Sequence, residues 1–102
     1  MKPPPKGYQW DPAMDARCHE QYAFGFHDVV QVFNDPETDY LVYGPVVRDE
    51  EERFVAIGRM EWGTVVAVVY TIRDGEKRLI WVRPARANER AEFYEHNGLD
   101  TP

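Results

Sequence analysis

At 102 residues and 11.9 kDa, with a formal charge of −6, the chain can bury one modest core and has no room for a second. Its 43% hydrophobic and 14% aromatic content is too apolar for general disorder, while 29% charged residues and a longest apolar run of only residues 65–70 predict no transmembrane helix. Serine is absent, which removes serine hydrolase chemistry, and the acidic total argues against a protein that coats nucleic acid by neutralising phosphates. The single cysteine, Cys18, permits no internal disulfide. The opening Met-Lys-Pro-Pro-Pro-Lys lacks the apolar stretch of a secretory signal, so a cytoplasmic, membrane-free protein is expected.

Residues 1–7 carry three consecutive prolines between lysines, favour polyproline II and are expected as a flexible tail, as are residues 98–102; residues 8–97 form the single domain. Tyr8-Gln9-Trp10 reads as a short edge strand. Asp11-Pro12 then supplies an N-cap acceptor and a first-turn proline, so a helix is predicted to about Gln21. Met14, Cys18 and Tyr22 recur every four residues and share one face of it, predicted to pack on a sheet. A second short helix is expected over 27–33, ending before Asn34-Asp35-Pro36. Strands are expected over 38–43, 53–59, 64–71 and 77–83, and the run Asp49-Glu50-Glu51-Glu52 reads as a solvated loop. Asp74-Gly75 carries a hairpin signal, making the last three strands consecutive and antiparallel. The run 65–70 is apolar on both parities and is placed centrally with both faces covered. A closing helix is predicted over 88–96.

Charge is unevenly spread. Residues 1–52 hold 4 basic and 11 acidic side chains, residues 53–90 hold 8 basic and 4 acidic, and residues 91–102 hold 3 acidic and none basic. The middle stretch is therefore the only net-positive part of an acidic chain. Cys18-His19 does not make a zinc site, since adjacent helical positions diverge by about 100° and no second ligand pair follows. Cys18 between Met14 and Tyr22 reads as a small buried hydrophobe rather than a nucleophile.

Tyr8-Gln9-Trp10-Asp11-Pro12-Ala13, Phe26 through Val32-Phe33-x-Asp35-Pro36, Arg53-Phe54-x-Ala56-Ile57-Gly58-Arg59, Val68-Val69-Tyr70-Thr71, Arg78-Leu79-Ile80-x-x-Arg83-x-Ala85-x-x-x-Glu89 and Tyr94-Glu95 follow one another in an order and spacing that resembles the BrnT family of bacterial toxins. The resemblance spans roughly residues 8–95. It implies an α+β, RelE-like fold: an antiparallel β-sheet meander with two N-terminal helices and one C-terminal helix. It further implies a cofactor-free, metal-independent endoribonuclease that inhibits translation, is neutralised by a BrnA-like antitoxin and assembles with it into a hetero-oligomer.

Such a site must place cations against the charge developing on a phosphoryl group and supply groups that move two protons. The arginine fork suits the first task because it binds phosphate bidentately and stays charged. Arg53, Arg59 and Arg83 fall on the family's recurrent arginine positions and are the candidate catalytic cations. Tyr70, Glu89 and the histidines His19, His27 and His96 are the proton-transfer candidates; none has a spacing that specifies a partner, and Tyr70 and Glu89 are taken as the catalytic pair of candidates. Arg73, Lys77, Arg78 and Arg86 are candidates for binding RNA. Arg53 and Arg59 share strand parity but lie roughly 20 Å apart along a strand, so a common RNA track suits them better than one shared phosphate. The other use of these arginines is pairing with Glu89, Glu92 or other carboxylates. Tyr70 equally suits core packing, and Glu89 the opening of the last helix.

Where the family usually shows Lys, Asn and Lys-His-Gly on and after the first helix, this chain has Met14, Cys18 and Gln21-Tyr22-Ala23. If those polar groups serve the reaction, the site has been remade; if they pack, the change is a core substitution. The second functional reading is therefore a catalytically impaired BrnT-like module that binds an antitoxin-like partner without cutting RNA.

Overall fold

A computed structural model describes residues 2–100; residue 1 and residues 101–102, the outer ends of the two expected tails, lie outside the described residues. In chain order it contains β1 (Tyr8–Trp10), α1 (Pro12–Tyr22), a four-residue α2 (Phe26–Val29), a 3-10 turn (Val30–Phe33), β2 (Leu41–Arg48), β3 (Glu51–Arg59), β4 (Val65–Arg73), β5 (Glu76–Pro84) and α3 (Ala87–His96). No helix among the described residues is long and apolar enough to cross a membrane.

The five strands form one sheet in the order β1-β5-β4-β3-β2. From β2 to β5 each strand is antiparallel to the next, as expected for the last three. The expectation of an antiparallel sheet needs one correction: β1 pairs parallel to β5, through Tyr8–Trp10 and residues 77–79, so the sheet is mixed. Alternation marks a segment as extended but leaves its neighbour undefined. Here the partner lies almost seventy positions away, beyond two helices.

Two further expectations are revised. The second strand runs over Leu41–Arg48, past Gly44-Pro45, where the register with β3 shifts. Proline is tolerated because β2 is a sheet edge and needs no donor on its outer side. The acidic run is only partly a loop: Asp49 and Glu50 turn with positive φ, while Glu51 and Glu52 already belong to β3. Glu51 pairs with Arg48 in the ladder, and its side chain accepts from Arg73 on β4 at 2.6 Å.

β4 is the central strand, and Val65 through Val68 are all buried. Its two parities feed two apolar layers. Val66, Val68 and Tyr70 join Ala56, Val82, Leu79 and the residues Cys18, Phe26, Val29 and Val32 of the N-terminal helices and turn. Val65 and Ala67 join Ile57, Ala85, Phe93 and Tyr94 under α3. Each fully buried side chain of the size of Phe26 or Phe93 contributes about 1.5–3 kcal/mol.

α1 opens as predicted, with Asp11 Oδ1 accepting from the Ala13 amide at 2.9 Å and Pro12 in the first turn. It closes at Ala23, whose φ of 62° is left-handed. Cys18 is fully buried, and Met14 and Tyr22 are half-buried against the same layer, so the predicted face does pack. Asp15 is also buried on this helix; its Oδ1 accepts from the Phe26 amide at 2.8 Å and fixes the corner between α1 and α2.

Candidate active site

The strand register sorts the candidate side chains between two ends of the sheet. Arg59 sits opposite Val65 and Arg83 opposite Ala67, at the end of the sheet that meets α3. Tyr70, Lys77, Arg78, Arg73 and Arg53 lie toward the β4–β5 hairpin, where Tyr70 pairs with Leu79 and Arg73 with Glu76. The nine candidates therefore do not converge on one point.

Arg83 and Glu89 do come together. Glu89 Oε1 and Oε2 accept from Arg83 Nη1 and Nη2 at 2.8 and 2.9 Å, and Oε1 also accepts from the Arg86 amide at 2.7 Å. Local sequence explains this: Pro84 ends β5, α3 starts three residues later, and a carboxylate in its first turn faces the helix dipole. The pair shifts both groups toward their charged forms. Hydrogen bonding to Arg83 holds the Glu89 carboxyl below the usual range, and hydrogen bonding to Glu89 raises Arg83 further. Glu89 is thus ionised, with both oxygens engaged, and Arg83 is a cation held in place with about a quarter of its side chain exposed (27%). Among the described residues Arg83 Nε–H and one Nη2–H are left without a partner.

Beyond residue 79, β5 has no neighbour on its β1 side among the described residues, and α1 lies beside it. A groove of about 480 Å³ opens there, lined by Met14, Arg17, Glu20, Gln21 and Trp81. Tyr22 flanks this groove, with its ring centre 6.2 Å from that of Trp81.

The remaining candidates have other surroundings. Arg59 Nη2 reaches Glu37 Oε2 at 3.1 Å and Asp35 Oδ2 at 3.7 Å, at the mouth of a cavity of about 330 Å³ that also includes Gln31, Asn34 and Glu61. Asp35 is held ionised chiefly by the Glu37 amide, then by Thr38 and Arg59. Arg53 and Arg73 share Glu51, at 3.6 and 2.6 Å, and Arg53 Nε is buried without a hydrogen-bond partner among the described residues. Tyr70 is buried between the rings of Phe33 and Phe54, and that desolvation raises its hydroxyl, so it remains protonated. Lys77 stands over the Phe33 ring at 5.2 Å, Arg78 donates to Gln9 at 2.9 Å, and Arg86 is exposed. Glu92 accepts from the Tyr43 hydroxyl rather than from an arginine.

A family model described as the ribonuclease toxin BrnT of a type II toxin-antitoxin system matches residues 10–89. The chain belongs to the BrnT family. No curated protein matches it. BrnT membership makes the chain a member of a toxin family whose activity is ribonuclease and whose systems pair each toxin with an antitoxin.

Within this BrnT chain, sequence reasoning missed Arg17, Trp81 and the carboxylates Asp35, Glu37 and Glu51. The pattern Asn34-Asp35-Pro36-Glu37-Thr38 did carry a turn signal: Asp35 accepts from the Glu37 amide and the Thr38 hydroxyl, both at 2.8 Å, and so presents a carboxylate toward β3. Nothing local signalled that Trp81 would meet Tyr22, because they come from elements almost sixty positions apart.

Proposed function

We propose that this chain is a RelE-like toxin that cleaves RNA without a metal cofactor, inhibits translation in the cytoplasm, and is neutralised by a BrnA-like antitoxin in a hetero-oligomer. The family match carries the reading. In the reaction, the 2′-oxygen of a nucleotide bonds to its neighbouring phosphorus as the bond to the 5′-oxygen breaks; a base takes the 2′ proton and an acid protonates the leaving oxygen.

Arg83 is the cation best placed for this work. Glu89 fixes its fork in one orientation, and its free Nε–H and Nη2–H can bind two phosphoryl oxygens as charge grows on them. Arg59, at the same end of the sheet, would contact RNA by exchanging Glu37 for phosphate, since that carboxylate is 79% exposed and cheaply displaced. Arg53, Arg73, Lys77, Arg78 and Arg86 extend a track for the flanking backbone, and Tyr70 serves as a proton donor. Residues 8–97 would work as one toxin unit.

The test is incubation of the purified chain with single-stranded RNA in the presence of a chelator. Fragments ending in 2′,3′-cyclic phosphate are expected, together with growth arrest on expression and relief by a co-expressed antitoxin. Arg83→Ala and Arg59→Ala should each lower cleavage by roughly 10- to 150-fold, the loss of about 1.5–3 kcal/mol. If both fold normally and stay as toxic as the parent, the arginine site is wrong.

One observation favours the second reading, a binding module that does not cut. Arg53, Arg59 and Arg83 all pair with carboxylates of the chain itself. Antitoxin capture with RNA left intact and growth unaffected would decide for it.

A further inference from the structure

Four aromatic rings from three separate segments form a row beside the groove lined by Arg17 and Trp81. Trp62, on the β3–β4 turn, lies 5.6 Å from Phe24; Phe24 lies 5.6 Å from Tyr22, nearly parallel at 23°; and Tyr22 lies 6.2 Å from Trp81. None of the four is fully buried, and Trp62 is 50% exposed, a large apolar surface for a 102-residue chain to leave in water. The Trp81 end carries cations: Arg17 lines the groove with Trp81, and Arg83 follows two residues beyond Trp81 on β5. Glu20 is the one carboxylate lining that groove.

Rings beside phosphate-binding cations are how proteins hold single-stranded nucleic acid, each base gaining a π-face and each phosphate a cation. The ring spacings decide the form of the strand. At 5.6 to 6.2 Å they exceed the repeat of about 3.4 Å in a stacked strand, so the row suits bases splayed apart and not a duplex. We propose that Trp62, Phe24, Tyr22 and Trp81 are a base-stacking platform that lays single-stranded RNA toward Arg83. This deepens the ribonuclease reading and rests on it for the direction of the strand, but its test does not need cleavage.

The probe is an octanucleotide of 2′-O-methyl oligoadenylate, which lacks the attacking hydroxyl, titrated into the full chain while tryptophan emission is read. Saturable quenching is expected. Trp62→Ala should weaken binding by about 5- to 150-fold, and Trp62→Phe, which keeps a ring, by no more than about threefold. A blunt duplex of the same length should compete poorly. Thermal melts run in parallel verify that both variants fold.

Cleavage measured alongside separates the two readings. If the parent cuts RNA while Trp62→Ala changes neither oligonucleotide affinity nor KM, the platform is overturned and the ribonuclease stands. If binding depends on Trp62 but no RNA is cut, the platform stands and the ribonuclease reading fails. If Trp62→Ala loses antitoxin capture but keeps oligonucleotide affinity, the row is a protein interface and the proposal is overturned.

Discussion

Arg83 on β5 and Glu89 on α3 face each other through two parallel hydrogen bonds of 2.8 and 2.9 Å, with the backbone of Arg86 closing the same carboxylate. One ion pair thus ties the end of a central-sheet strand to the first turn of the helix that covers it, and it aims the guanidinium. Removing either partner disturbs stability and site geometry together.

Glu89→Gln should lower stability by about 1.5–3 kcal/mol at neutral pH, since a charge-assisted pair is lost and Arg83 is left without its carboxylate. The pH dependence has a definite sign. A carboxyl lowered in the folded state stabilises fully above its ordinary value of about 4.3, and that contribution disappears as pH falls through the lowered value. Thermal melts from pH 7 down to pH 3 should show the parent losing more stability than Glu89→Gln.

The Cys18 thiol is pushed up to about 12, first by burial and then by Asp15 and Asp28. In the native protein it should resist a thiol reagent at pH 8 and react at once after unfolding in guanidinium. Because the raised value favours the neutral thiol, its stabilisation is complete below the ordinary thiol value of about 8.5 and declines as pH rises from there toward 12. Rapid native labelling would show that the α1 face does not pack on the sheet.

Gly58 lies where β3 passes under the 3-10 turn, and a Cβ there would stand 2.2 Å from Val32 Cγ1. Gly58→Ala should cost about 1–3 kcal/mol by overpacking. Combining it with Val32→Ala should cost less than the sum of the two single changes, a coupling that a double-mutant cycle of denaturation midpoints measures.

Ala23 closes α1 with left-handed backbone at φ 62°, a conformation that a β-carbon disfavours. Ala23→Gly should therefore stabilise by about 0.5–1 kcal/mol, read as a higher denaturation midpoint with an unchanged m-value. An equal or lower midpoint would mean that the greater freedom of glycine in the unfolded chain outweighs the strain relieved.

What the sequence revealed follows the range of the forces involved. The run from Val65 to Tyr70, apolar on both parities, disclosed a strand with a layer on each face, and Asp11-Pro12 disclosed the start of α1, because both signals are local. The direction of β1 was hidden, since its partner lies far along the chain. So was the place of Glu51, which reads as one more solvated carboxylate until Arg73 is brought across from β4. Pairing of Arg83 with Glu89 was among the alternatives, as only six positions separate them. Arg59 with Asp35 and Glu37, and the row from Trp62 to Trp81, depend on segments that meet only after folding.

The parallel pairing of β1 also sets an order of assembly. Tyr8–Trp10 can add to the sheet only once residues 77–79 have been synthesised and β5 is in place, and Gln9 then bridges the Arg73 carbonyl, Glu76 and Arg78 across the hairpin. On a ribosome the earliest made of these five strands is the last to be seated in the sheet, with almost seventy residues of intervening chain to close. Until that moment Trp10 has no strand partner, and the outer edge of the β4–β5 hairpin is open to any other extended chain, including a partner translated alongside it.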